Sequence, residues 1–162
     1  MIAVTDYTSY AEVRAVIGVD AIELPDSTLA LSVFASALQR ALRGFSDADG
    51  KTLVAYFDEI DPDTATDDEE YLYYTIKEYA TYIVADACCS GLSMFALKSD
   101  SDGKATQTRF SSEATFKDVV KNIRQKLASL TGALDTLVGN ETEYGVGGIV
   151  RVPPSIDVVT DE

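Results

Sequence analysis

Phe116, Val120, Ile123, Leu127, Leu130, Leu134 and Leu137 follow one another at steps of 4, 3, 4, 3, 4 and 3. A strand exposes alternate residues to one side and has no use for this spacing. A helix places all seven on one face. The pattern predicts a helix from Ser112 or Glu113 to Val138, ended by Gly139-Asn140. A one-sided helix must bury its stripe against something. In a chain of 162 residues, one ordinary domain, the expected solution is a bundle core rather than a free coiled coil.

The rest of the chain supplies the partners. Ser9-Tyr10-Ala11-Glu12 reads as a capping box, Val13, Val16 and Ile17 as an apolar face, and Gly18 as the left-handed stop of a first helix. Val19 to Leu24 is a connector, and Pro25-Asp26 announces the next helix. Leu31, Phe34, Leu38, Leu42 and Phe45 predict that helix from about Ser27 to Phe45. Ser46 to Gly50 is a break, Leu53 to Ile60 a short helix, and Asp61 to Asp67 a loop. A long helix is expected over Asp67 to Phe95, with Leu72, Ile76, Tyr79, Ile83, Ala87, Ser90, Met94 and Leu97 as its stripe. Asp67, Asp68, Glu69 and Glu70 at its start complement the positive end of the helix dipole. The small residues Ala85, Ala87, Cys88, Cys89, Ser90 and Gly91 mark a helix crossing.

Between the two long helices, Asp102-Gly103 signals a turn, and Ala105 to Phe110 reads as one strand of a short β-hairpin. The expected fold is therefore mainly α: a helical bundle over residues 1–140 and an extended C-terminal arm over 141–162. Ile149, Val150, Arg151 and Val152 favour an extended strand. Pro153 and Pro154 block helix. Ile156, Val158 and Val159 are apolar in a tail too short for its own core, so the arm packs back or adds to a neighbour.

Several functions are disfavoured by what is missing. The chain has no histidine and no tryptophan. Serine–histidine, cysteine–histidine and histidine–metal chemistry are therefore closed to these residues. Carboxylate-only catalysis would need paired acids in a pocket, and Asp61, Asp63, Asp67 and Asp68 read more simply as a solvated helix start. Neither Asp47-Ala48-Asp49-Gly50 nor Asp100-Ser101-Asp102-Gly103 completes a calcium loop. The expectation is no enzyme, no metal and no cofactor.

Cys88 and Cys89 are adjacent and point apart on a helix, as buried thiols in a reduced, cytoplasmic protein. The N-terminus lacks a basic segment followed by an apolar run, so no secretory signal is expected. No stretch reaches the roughly 18–20 apolar residues of a membrane helix.

Net charge is −14, which argues against direct nucleic-acid binding and for a surface past which a polyanion slides. Residues 98–138 carry seven Lys/Arg and five Asp/Glu, hence +2 against −16 for the remainder, which suggests complementary faces between copies. Five of the nine tyrosines, Tyr71, Tyr73, Tyr74, Tyr79 and Tyr82, crowd the first half of the long helix and spread beyond one face. Tyr71, Tyr73, Tyr74 and Tyr82 are therefore candidate subunit-interface residues.

The opening Thr8-Ser9-Tyr10-Ala11-Glu12-Val13-Arg14-Ala15-Val16-Ile17-Gly18-Val19, with Glu23-Leu24-Pro25-Asp26, resembles the start of tailed-bacteriophage head-to-tail connector (adaptor) proteins. So does the later order: a tyrosine-rich helix, Ser101-Asp102-Gly103-Lys104, then Arg109-Phe110 leading into a Lys/Arg-bearing amphipathic helix. The resemblance covers most of residues 8–138. It implies a virion neck subunit, assembled in the host cytoplasm, that forms a ring, usually dodecameric, beneath the portal. Its partners would be further copies of itself, the portal and the next neck or tail-completion protein. DNA would pass through without specific binding, and no membrane would be involved. Carried over, Ile149 to Val159 would grip the portal or a neighbour. The competing reading is an acidic binding protein, a nucleic-acid mimic or an inhibitor of a host factor.

Overall fold

The computed structural model describes residues 2–91, 100–101, 106–107 and 113–139. After a single 3-10 turn (Val4–Asp6), the helices are α1 (Tyr10–Ile17), α2 (Asp26–Leu29), α3 (Ser32–Gly44), α4 (Leu53–Glu59), α5 (Asp67–Gly91) and α6 (Glu113–Leu137). The architecture is a mainly helical bundle. α5 is its centre and packs against α6, α3, α1 and α4.

Local chemistry sets the ends of α1. Glu12 N–H donates to Ser9 Oγ at 3.2 Å, and Ser9 N–H donates to Glu12 Oε2 at 2.8 Å. Those hydrogen bonds satisfy orphan donors of the first turn and hold the Glu12 carboxyl below its usual range, backbone donation from Ser9 being the largest cause. Gly18 closes the helix at φ +79°, a left-handed conformation that a Cβ would strain. Arg14 then reaches Leu24 O (3.1 Å) and Asp26 Oδ1 (2.6 Å), which fixes α2 against the end of α1.

The helix expected over Ser27 to Phe45 is two helices. Leu31 is extended (φ −61°, ψ 138°) and 51% exposed rather than in the core. In one straight helix Leu29 and Phe34 would lie about 140° apart. The bend at Leu31 lets both point inward, at 0% and 2% exposure. From Phe34 onward the expected stripe holds, with Leu38 and Leu42 fully buried. The loop to α4 is organised by Asp47, whose Oδ1 accepts N–H groups from Asp49 (2.9 Å) and Lys51 (2.8 Å). Its Oδ2 accepts the Tyr56 hydroxyl, a bond that pushes the Tyr56 phenol up to about 12.

The α6 stripe packs along its length: Ile123, Leu130 and Leu134 are buried, and Phe116, Val120, Leu127 and Leu137 pack partly buried against the core. On α5 the expected stripe holds at Leu72, Ile76 and Tyr79 and then departs. Ser90 is exposed, Ile83 and Ala87 are half-buried, and beyond Tyr79 the residues at 0% exposure are Ala80, Val84, Ala85 and Cys88. The cause is α5's central place: its neighbours change along its length, so its buried side rotates. Of the small residues expected at a crossing, Ala85, Cys88 and Cys89 are buried, while Ser90 and Gly91 are exposed. Burial pushes the Cys88 thiol up to about 12 and the Cys89 thiol to about 11.

Between α5 and α6 the described residues are Asp100–Ser101 and Thr106–Gln107, which pair antiparallel over two rungs. Two rungs fall short of the expected hairpin. Most of its strand over Ala105 to Phe110 lies outside the described residues, as do Met94, Leu97 and the whole arm from Ile149 to Val159.

Candidate interaction surface

The tyrosines of α5 divide into three kinds. Tyr79 is 8% exposed and belongs to the core, where burial raises its phenol. Tyr73 and Tyr82 are half-buried: Tyr73 stacks on Phe57, and Tyr82 packs against the apolar core. Tyr71 and Tyr74 are 60% and 52% exposed, and with Ile22, Leu31 and Val33 they are the large apolar residues most open to solvent among those described. Of four candidate interface tyrosines, two are thus free to meet another molecule. A third, Tyr73, serves chiefly to hold one of them.

That support is an aromatic stack. Tyr7, buried at 3% exposure, has its ring 4.5 Å from Phe57. Phe57 lies 4.5 Å from Tyr73 and nearly parallel to it, at 11°. Tyr73 meets Tyr74 edge-on at 5.6 Å and 80°. Offset stacking and edge-to-face contact are the favoured geometries for such rings. The stack runs from the core to the surface and leaves Tyr74 little freedom to lose on docking. Beside it, an open groove of about 400 Å³ separates α1 from α5, lined by Ala15, Val16, Tyr74, Lys77 and Tyr82 among others.

The bottom of this region is pinned by a buried pair. Thr81 Oγ1 donates to Lys77 O at 2.9 Å. Its one proton so used, it accepts from Thr8 Oγ1 at 2.6 Å, a bond joining the N-terminal segment to the middle of α5. At the start of α5, Thr66 and Glu69 make a capping box: Thr66 N–H and Oγ1–H donate to Glu69 Oε2 at 2.9 and 2.7 Å. Thr66 thereby holds the Glu69 carboxyl below its usual range. Beyond the dipole role expected of the acids there, Glu69 is thus a capping residue. The Thr-x-x-Glu spacing was the signal that would have shown more.

Two cations of the near-neutral segment are used inside the subunit. Lys126 of α6 meets Glu78 of α5 at 2.9 Å, and Arg124 meets Asp86 at 3.0 Å. The near-neutral segment therefore neutralises part of its own subunit. Arg40 and Arg43 of α3 are exposed and form no ion pair with a described residue, though Arg43 lies near enough to Tyr7 to oppose the rise of its phenol pKa. With Ser36, Gln39 and Gly44 they line an open depression.

Among the described residues no group of three or more His, Cys, Asp or Glu is placed to hold a metal, and no helix is long and apolar enough to cross a membrane. Asp61, Asp63, Asp67 and Asp68 are all exposed. Compared with family models, curated proteins and solved structures, the chain matches none.

Proposed function

We propose that this chain is a non-enzymatic assembly subunit, one copy of a ring that joins a phage portal to the neck or tail and extends the DNA channel. The observation that carries the reading is the exposed pair Tyr71 and Tyr74, the latter braced by a stack that begins in the core. Large, stiff, amphipathic side chains held at the surface are suited to protein contacts. The resemblance over residues 8–138 supplies the particular assembly, and the charge of −14 suits a wall that DNA passes without sticking. The hairpin between α5 and α6 and the docking arm over residues 141–162 belong to the same proposal, with Ile149 to Val159 gripping the portal or a neighbouring copy.

Native mass spectrometry of the purified chain, alone and mixed with portal rings, tests this. The expected result is a closed oligomer, alone or on the portal. Removing residues 145–162 should abolish portal docking with helicity by circular dichroism unchanged. A chain that stays monomeric, ignores the portal and instead retains a DNA-binding enzyme at low salt would overturn the reading in favour of an acidic mimic.

A further inference from the structure

We infer that neighbouring copies meet head to tail, the Tyr71–Tyr74 ridge of one α5 seating on the Arg40–Arg43 face of the next copy's α3. The inference rests on the assembly reading above and names the two surfaces it uses.

The two patches differ in chemistry and stand on different helices, α5 and α3. Tyr74 borders the groove between α1 and α5. Arg40 and Arg43 are exposed on α3. A self-complementary two-fold contact would need one patch to match itself. Two different patches that match each other build a heterologous contact, which propagates and closes into a ring when the rotation permits.

The chemistry of the match is specific. On a helix, residues three apart are neighbours, with Cβ atoms about 5–6 Å apart. Both pairs, Tyr71 with Tyr74 and Arg40 with Arg43, have this spacing, so two helices laid side by side can set each guanidinium over a phenol ring. Arginine on an aromatic face gains both stacking and cation–π attraction. The ridge also carries Glu70 one turn before Tyr74, an exposed carboxylate that favours a cationic neighbour. In a chain of net charge −14, copies repel each other overall. Their contact must therefore bring the exposed cations against an electronegative surface. Four other cations are paired within the subunit: Arg14 with Asp26, Lys51 with Glu59, Arg124 with Asp86 and Lys126 with Glu78.

The test uses two full-length variants, R40E/R43E and Y71A/Y74A, with native mass spectrometry and sedimentation as readouts and circular dichroism as the fold control. Each variant lacks one patch and keeps the other. Each alone should lose association by about tenfold or more. Mixed one to one, they should form a heterodimer and nothing larger, because the intact ridge of one meets the intact arginine face of the other and both outer ends are blocked. If the wild type forms rings and either folded variant still forms them, or the mixture stays monomeric, the inference is overturned while the assembly reading stands. A wild-type chain that never associates, alone or on a portal, overturns both.

Discussion

α5 and α6 are each 25 residues long, yet they are buried in different ways. α6 packs along one stripe, and its exposed side carries charge. α5 is enclosed from several directions. At about 100° per residue, Leu72 and Thr81 point to opposite sides of the helix. Both are 7% exposed. α6 rests on essentially one neighbour, whereas α5 takes up α3, α1, α4 and α6 in turn. A peripheral helix thus shows its burial in its own periodicity. A central helix does not, because successive neighbours close different sides of it. The same crowding leaves one sector of α5 open near its start, and Tyr71 and Tyr74 stand there.

This contrast is open to attack by substitution. The most damaging change should be Val84→Asp, at a position 0% exposed and off the stripe expected from spacing. An unpaired carboxylate there should cost about 4 kcal/mol or prevent folding. Soluble yield and urea denaturation read the outcome, and a variant of wild-type stability would mean that α5 is not enclosed on that side. Next comes Leu134→Ala on α6, also 0% exposed, with an expected loss of about 3 kcal/mol in the same titration.

A smaller effect is expected at the first helix. Ser9→Ala should cost about 1 kcal/mol. It should also flatten the acid limb of stability. Glu12 has a folded pKa below the usual 4.5, so its contribution is full above the unfolded value and lost as pH falls through the folded one. Thermal melts between pH 6 and pH 3 (about the span of carboxylate titration) should diverge least at the acid end.

Smallest of all should be Asp86→Asn, which removes the partner of a 61% exposed Arg124 across the α5–α6 seam. About 0.5 kcal/mol or less is expected, since solvent screens such a pair. A loss of several kcal/mol would show that the seam depends on charge rather than on the α6 stripe.

Cys88 and Cys89 probe the enclosure of α5 without substitution. Buried and with raised thiol pKa values, both should resist alkylation at neutral pH until denaturant is added. Mass spectrometry of the labelled chain reports this directly. Rapid modification in native buffer would mean that this half of α5 opens.

The features that local chemistry dictates were legible in the residues themselves. The seven-residue stripe of α6, the Ser9–Glu12 box and the Gly18 stop all depend on neighbours within four positions along the chain, and each stands where spacing put it. The absence of histidine is likewise a property of composition alone. The tertiary structure decided the rest. It bent the chain at Leu31 so that Leu29 and Phe34 share one core. It turned the buried side of α5 toward Val84 and Cys88. It paired Arg124 and Lys126 of α6 with Asp86 and Glu78 of α5. It also divided the tyrosines, placing Tyr73 on Phe57 and leaving Tyr71 and Tyr74 outward. Periodicity records that a residue is apolar and which helix face it shares. Which faces are covered depends on elements distant in sequence, and those contacts are set only when the whole core closes.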